Sequence, residues 1–277
     1  MSEPEPDRIS RRKRARQIVA ARLERLEDIS IGKLVPSSLT LLALASGITA
    51  IRFGIDGKWS IAVTFIICAG ILDMLDGRAA RLLGADSRFG AQLDSLADLV
   101  SFGVAPSIIM YRWSLAAVDN AGWVAVGWIV ALVFCACSAI RLARFNVESV
   151  RDEGATKGNP YFTGLPTPAA ACMVLLPLLV SFQWNDPLVR QPWVSAIIIA
   201  ITSVLMVSRL PTPSIKYMKL QRQHRILAGI FFALLAAALI VWPWATMTIG
   251  LLIYVASIPF AIYAHHPRTV AKRALPQ

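Results

Sequence analysis

Charge is scarce in this chain. Only 16% of its 277 residues are Asp, Glu, Lys or Arg, against about 25% in an ordinary soluble domain. Acidic residues are the scarcer sign, 17 against 28 basic ones. With 56% apolar residues and a mean hydropathy of +0.58, too few polar side chains exist to cover a water-facing surface. A soluble domain and a disordered chain are both excluded. Cysteine and histidine are also few. Cys68, Cys135, Cys137 and Cys172 all fall in apolar runs, form no CxxC and have no neighbouring histidine, so a zinc site is excluded and they are expected as small core residues. His224, His265 and His266 stand outside any ligand constellation. The first 35 residues lack an apolar stretch ending in a small-residue cleavage site, so no signal peptide is expected. No convincing internal repeat is visible, which weighs against an inverted-repeat transporter.

What is present is a series of apolar runs, each about long enough to cross a bilayer at 1.5 Å per residue. They fall near 36–54, 58–75, 91–113, 121–142, 166–183, 193–209, 226–242 and 246–264, with Pro243, Trp244 and Ala245 as a tight link between the last two. The expected fold is therefore an all-α integral membrane protein of about eight transmembrane helices. If the N-terminus is cytoplasmic, 24 of the 28 Lys and Arg lie on the cytoplasmic side; the exceptions are Arg52, Lys58, Arg112 and Arg190. That asymmetry fixes the expected orientation, with both termini inside. Trp59, Trp113, Trp123, Trp184, Trp193 and Trp244 sit near span ends, as interfacial anchors do. Residues 8–29 combine eight basic residues with Ile9, Ile18, Val19, Leu23 and Leu26. They read as a basic helix on anionic headgroups or as a solvated helix that only sets orientation. The basic residues come in short bursts between apolar runs, so lipid phosphate and topology explain the net charge of +11 better than nucleic acid does. The expected divisions are a basic segment 1–35, a core 36–225, a C-terminal hairpin 226–264 and a tail 265–277.

The chemistry is carried by carboxylates. Asp73 and Asp76 close the second apolar run, and Asp94 and Asp98 open the third. On helices each pair shares a face, and two antiparallel neighbours would aim all four at one spot. Such a set is either partly protonated or holds cations. Oxygen-only ligands suit hard divalent ions, Mg²⁺ or Mn²⁺, and two such ions could activate an attacking oxygen and stabilise a phosphate leaving group. Water-facing helix caps are the plainer alternative. Gly77 and Ala80 share the helix face of Asp73 and Asp76 and leave room for a flat ring or a diphosphate, and Arg81 can neutralise phosphate. Helix packing and anchoring would account for those three residues equally well.

The run from Asp73 to Asp98 reads D-x2-D-G-x2-A-R-x8-G-x3-D-x3-D. It resembles the signature of the CDP-alcohol phosphotransferase family at every fixed position. The resemblance implies a membrane enzyme with a six-helix core and two divalent metals. Such enzymes move a phosphatidyl or similar group from a CDP-linked donor to an alcohol and release CMP. Carried over, it implies metal ligation by Asp73, Asp76, Asp94 and Asp98, with Asp98 as general base, and donor binding by Asp73, Gly77, Ala80, Arg81 and Gly90. It also implies a homodimer. FGAQLDSLADLVSFGVAP (89–106), RLARFN (141–146), YFTGLPTPAA (161–170) and MVSRLPTPSIK (206–216) are similar to the bacterial and archaeal membrane-embedded phosphatidylserine synthases within that family. This likeness spans about 36–216 and implies CDP-diacylglycerol and L-serine as substrates. One departure is Ser37 in VPSSLTLLAL, where relatives usually carry Asn; it bears on phosphate or metal-shell contacts at the start of the first span.

Serine brings a carboxylate and an ammonium to a site already holding phosphates, so cations are needed. Arg141 and Arg144, three apart on one helix face, with Asn146 and Lys216, are the candidates for its site. Positive-inside anchoring is the competing reading for the two arginines, and the favoured one for Arg209, Lys219, Arg222 and Arg225. Gly164-Leu-Pro166-Thr-Pro168 reads as the rigid start of the fifth span, with shaping of the acceptor pocket as a lesser reading. Two further functions stay open: the same chemistry on glycerol 3-phosphate, inositol or inositol phosphate, and a cation-coupled transporter, which leaves the full spacing pattern unexplained.

Overall fold

The computed structural model describes residues 31–84, 87–152, 162–184, 186–208, 211–212 and 225–257. The basic segment 8–29, Arg209, Lys216, Lys219, Arg222 and the tail from 258 lie outside the described residues. The regular secondary structure described is helical apart from one two-residue bridge. The helices are α1 (Ile31–Ile55), α2 (Trp59–Leu83), α3 (Arg88–Leu115), α4 (Ala121–Asp152), α5 (Thr167–Val174), α6 (Leu176–Trp184), α7 (Pro192–Val207), α8 (Arg225–Val241) and α9 (Pro243–Ser257). Four helical segments, in α1 to α4, are long and apolar enough to cross a membrane, and α5 with α6 makes a fifth if the bent pair is one span. The chain is an integral membrane protein.

The outward faces agree. Leu41, Leu42 and Ile48 on α1, Ile129, Leu132 and Val133 on α4, and Ile201 and Val204 on α7 are all exposed. In lipid such a surface is satisfied, whereas in water it would aggregate. The same reasoning corrects the expectation for the cysteines. Cys68 is exposed and the other three are half-buried, because an apolar side chain in a membrane protein has two suitable environments, the core and the lipid.

The α1–α2 hairpin is closed by Gly57. Its φ is +72°, Lys58 N donates to Phe53 O at 2.9 Å and Gly57 N to Gly54 O at 3.2 Å. These two bonds satisfy the last carbonyls of α1 in a turn that favours glycine. At the other end of α2, Gly84 (φ +59°) caps the helix through a bond to Ala80 O. Ser87 then starts α3, accepting from Gly90 N at 3.0 Å, and Asn120 starts α4, accepting from Gly122 N and Trp123 N.

α3 is continuous but not uniform. It widens to π-helix over Leu99–Val104 and again over Tyr111–Leu115. Pro106 has no N–H to return to the preceding turn, and the wider turn absorbs the mismatch. The 166–183 run, read from sequence as one span, is broken: α5 and α6 meet at 43° around Leu175. Pro177 explains the bend, since it cannot donate to Met173 O and its ring crowds that carbonyl. Within the C-terminal hairpin, α9 begins at Pro243 and not after Ala245. Proline is at ease in a first helical turn, so only Trp242 is left to link α8 and α9.

The core runs through the bundle along Ala50, Val63, Ile66, Phe102, Ile109, Phe134, Leu178 and Ile199. Beside it, β1 (Phe162–Thr163) pairs antiparallel with β2 (Pro211–Thr212), Phe162 opposite Thr212 and Thr163 opposite Pro211. This bridge ties the segment before α5 to the one after α7. Gly164 follows with φ +83°, and a Cβ there would lie 2.8 Å from Ser208 O, so both the backbone angle and the space require glycine.

Candidate active site

The end of α2 remote from Gly57 meets the start of α3, and their carboxylates converge. One oxygen from each of Asp73, Asp76 and Asp94 lies within 4.8 Å of the other two. Asp98, one turn beyond Asp94, is in side-chain contact with Asp73, which also contacts Asp94. Asp76 is the most enclosed, only 5% exposed. Its Oδ2 accepts a 2.7 Å hydrogen bond from Thr40 Oγ1 on α1. Carboxylates this close, in a partly buried place, need a shared proton or a cation between them. Among the described residues no Lys or Arg forms an ion pair with any of the four; Arg144 pairs with Glu148 at 3.8 Å. An all-oxygen donor set at this spacing fits a hard divalent cation.

The residues around the cluster divide into two flanks. On one, Gly77 is exposed and a Cβ built there would meet nothing within 4 Å. Ala80 is half-buried beside it. Arg81 is exposed, its Nε donating to Gly77 O at 2.9 Å. Gly90 serves the cap of α3, and a Cβ there would lie 3.1 Å from Ser87 Oγ.

On the other flank Arg141 Nη1 donates to Thr167 Oγ1 at 2.8 Å. Thr167 belongs to the Gly164–Pro168 run, so that run reaches α4 as well as starting α5. Arg144 Nη1 donates to Val207 O at the end of α7, 3.3 Å away. Asn146 Oδ1 accepts from Ser95 Oγ at 3.0 Å. Ser95 sits between Asp94 and Asp98, so this bond joins the acidic stretch of α3 to α4. The structure thus links Arg141 to Asp98 electrostatically and Asn146 to the acidic stretch through Ser95; Arg144 is held at the end of α7 and by Glu148, and Lys216 lies outside the described residues.

A family model described as CDP-alcohol phosphatidyltransferase matches residues 33–208, which contain the whole cluster and both flanks. The chain belongs to the CDP-alcohol phosphatidyltransferase family. Curated relatives agree. A CDP-diacylglycerol–serine O-phosphatidyltransferase of Mycobacterium leprae is 36% identical over 241 residues, 86% of this chain and 77% of the relative. One from Bacillus subtilis is 36% identical over 183 residues, 66% of this chain and 91% of the relative. An archaetidylserine synthase of Methanothermobacter thermautotrophicus is 35% identical over 183 residues, 65% of this chain and 70% of the relative.

Within this family member, sequence reasoning missed the hydroxyls. Thr40, Ser95 and Thr167 each hold a charged or amide group of the site. A signal existed for Thr40, a hydroxyl three residues after Ser37 and so on the same helix face, in VPSSLTLLAL. Ser95 and Thr167 had none, because their partners come from α4, 51 and 26 residues away.

Proposed function

We propose that the chain transfers the phosphatidyl group of CDP-diacylglycerol to the hydroxyl of L-serine, giving phosphatidylserine and CMP. The observation that carries the reading is the convergence of Asp73, Asp76 and Asp94, with Asp98 against Asp73, in a chain whose relatives carry serine-transferase names. Asp73, Asp76, Asp94 and Asp98 would hold two divalent ions, Mg²⁺ or Mn²⁺. Bound there, the ions supply Lewis-acid charge to the donor's diphosphate and to the departing CMP.

The remaining work falls to the chain's own groups. The open face at Gly77 and Ala80 admits the cytidine end of the donor while its acyl chains stay in the bilayer. Arg81 faces the phosphates. Arg141 and Arg144 offer cations to the serine carboxylate, and Asn146 holds the α3 stretch against α4 through Ser95. Lys216 belongs to the same acceptor group. Asp98 takes the serine hydroxyl proton. The serine oxygen then forms a bond to the β-phosphorus, and the bond from that phosphorus to the bridging oxygen breaks. The electron pair leaves with CMP. The transfer is direct, without a covalent enzyme intermediate.

The same reading places the site at the cytoplasmic face of a prokaryotic inner membrane, in a homodimer of eight-span protomers with both termini inside. Residues 36–225 form the catalytic core and 226–264 the C-terminal hairpin, flanked by a basic segment 1–35 and a tail 265–277. The distribution of Lys and Arg supports the orientation.

The deciding experiment is CMP release by the purified chain in detergent with CDP-diacylglycerol, Mg²⁺ or Mn²⁺ and a panel of acceptors. Release that requires both serine and metal is expected. Asp98→Asn should abolish turnover while leaving a folded protein, and full activity in that variant would remove the base assignment. Release only with glycerol 3-phosphate or inositol would keep the carboxylate site and discard the serine reading. Cation-coupled uptake without CMP release would discard the enzymatic reading.

A further inference from the structure

α8 and α9 lie beyond the residues that the family model matches, yet α9 is part of the folded body. Trp244, Leu251, Tyr254 and Val255 pack on the buried core. The Trp244 ring lies 4.8 Å from that of Phe182 on α6. Thr248 is fully buried and its hydroxyl donates to Trp244 O at 2.8 Å. α9 therefore has a fixed face toward the bundle.

Tyr254 is a polar side chain among those that α9 packs on the core. It is half-buried and lies within electrostatic reach of Arg141 and Cys172. Arg141 is in turn within electrostatic reach of Asp98. One Arg141 nitrogen, Nη1, is engaged by Thr167, while Nε is buried and has no acceptor among the described residues. A buried guanidinium N–H without a partner is costly, and the Arg141 guanidinium interacts electrostatically with both Asp98 and Tyr254. A Tyr hydroxyl in such a place also finds a polar partner as a rule. An acceptor with a carboxylate and an ammonium has complementary groups for both: the carboxylate for the Arg141 N–H, the ammonium for the phenol oxygen.

We propose that Tyr254 is a specificity-determining residue, closing the Arg141 side of the acceptor site and binding the amino-acid end of the acceptor. This rests on the reading that Arg141 receives serine. It extends acceptor choice from the matched core to the C-terminal hairpin.

The test is steady-state kinetics of the full chain in detergent, wild type against Tyr254→Phe, which keeps the ring and its packing. The serine KM should rise about tenfold, the size of one lost hydrogen bond to a charged group. kcat and the KM for CDP-diacylglycerol should stay within about twofold, a split that a merely structural role would not produce. In parallel, the thermal stabilisation that serine gives the wild type with CDP-diacylglycerol bound should require about tenfold more serine in the variant. An unchanged serine KM, or both KM values and kcat moving together, would overturn the proposal. If the wild type uses another alcohol and not serine, the serine reading fails, and the Tyr254 assignment is then decided by whether Tyr254→Phe shifts that alcohol's KM.

Discussion

Replacing Thr40 by Val isolates one hydrogen bond at the site. The two side chains have nearly the same shape, so the packing of α1 on α2 is kept and only the hydroxyl is lost. That hydroxyl has one proton and two acceptors within reach, Asp76 Oδ2 at 2.7 Å and Pro36 O at 3.1 Å. The shorter contact, to a carboxylate, is the stronger. Removing it leaves a carboxylate that is 5% exposed without its α1 partner, a loss of about 1.5–3 kcal/mol for a hydrogen bond to a charged group. If Asp76 holds a divalent ion, that loss appears as weaker metal binding, about 10- to 100-fold, the range typical of a lost partner behind a metal ligand. The assay is CMP release at fixed substrates across a metal titration. Thr40→Val should move the half-activating Mg²⁺ or Mn²⁺ concentration upward by that factor, with most of the maximal rate recovered at saturating metal. Thr40→Ser should restore the wild-type curve. A Thr40→Val titration superimposable on wild type, in a protein that is folded, would refute the claim that this bond supports the metal site.

Two glycines should behave oppositely when changed to Ala. At Gly47 a Cβ would overlap Ser101 Oγ and lie 2.7 Å from Ser101 Cα, so Gly47→Ala must part α1 from α3 and should cost about 1–3 kcal/mol, read as a lower melting temperature in detergent. At Gly77 there is open space, so Gly77→Ala should leave the melting temperature level or raise it, since Ala favours a helix by about 0.5–1 kcal/mol, while turnover falls because that space admits the donor. Equal melting shifts in the two would contradict the packing. Arg141→Lys keeps the charge that orientation requires but loses the planar fork that reaches Thr167 at 2.8 Å. The serine KM should rise about tenfold or more; an unchanged KM would reduce Arg141 to an anchor.

The carboxylate site was legible because its determinants are local. The spacings within 73–76 and 94–98 place each pair on one helix face, and two consecutive spans joined by a short link must be neighbours. The membrane character was legible for the same reason, as it depends on composition within each run. The break at Pro177 was visible in principle, but an apolar run gives no sign of whether a proline kinks a span or ends it. The flank at Arg141 was only half legible. Arg141 and Arg144 carry a pattern that anchoring explains equally well, and their partners Thr167 and Val207 lie on segments that reach α4 only in the folded bundle. Tyr254 was invisible, since nothing in a C-terminal apolar run marks which side chain faces a site more than a hundred residues away in the chain.

The fold must hold four carboxylates at one point against their mutual repulsion, and the small residues show how it does so. α3 carries two of the four and is gripped on two sides. Toward α1, Gly47 lies against Ser101, whose hydroxyl donates to Ala43 O at 3.2 Å, and a Cβ on Gly54 would sit 2.8 Å from Ile109 Cγ1. Toward α4, a Cβ on Gly103 would lie 2.9 Å from Ser138 Oγ. Three glycines thus set backbone approaches too close for any larger side chain, the closeness by which helices associate in lipid, where no hydrophobic force drives them together. These contacts begin within a turn of Asp98 and continue down the span, so α3 cannot slide or rotate to relieve the crowding at its acidic end. Separation of the carboxylates would require breaking this packing first. The same grip explains the π turns. With α3 fixed on both sides and Pro106 unable to donate, the irregularity is taken up along the helix, in the wider turn that starts immediately after Asp98. The face of α3 that packs can then differ from the face that carries Asp94 and Asp98, and a single helix serves both the core and the site.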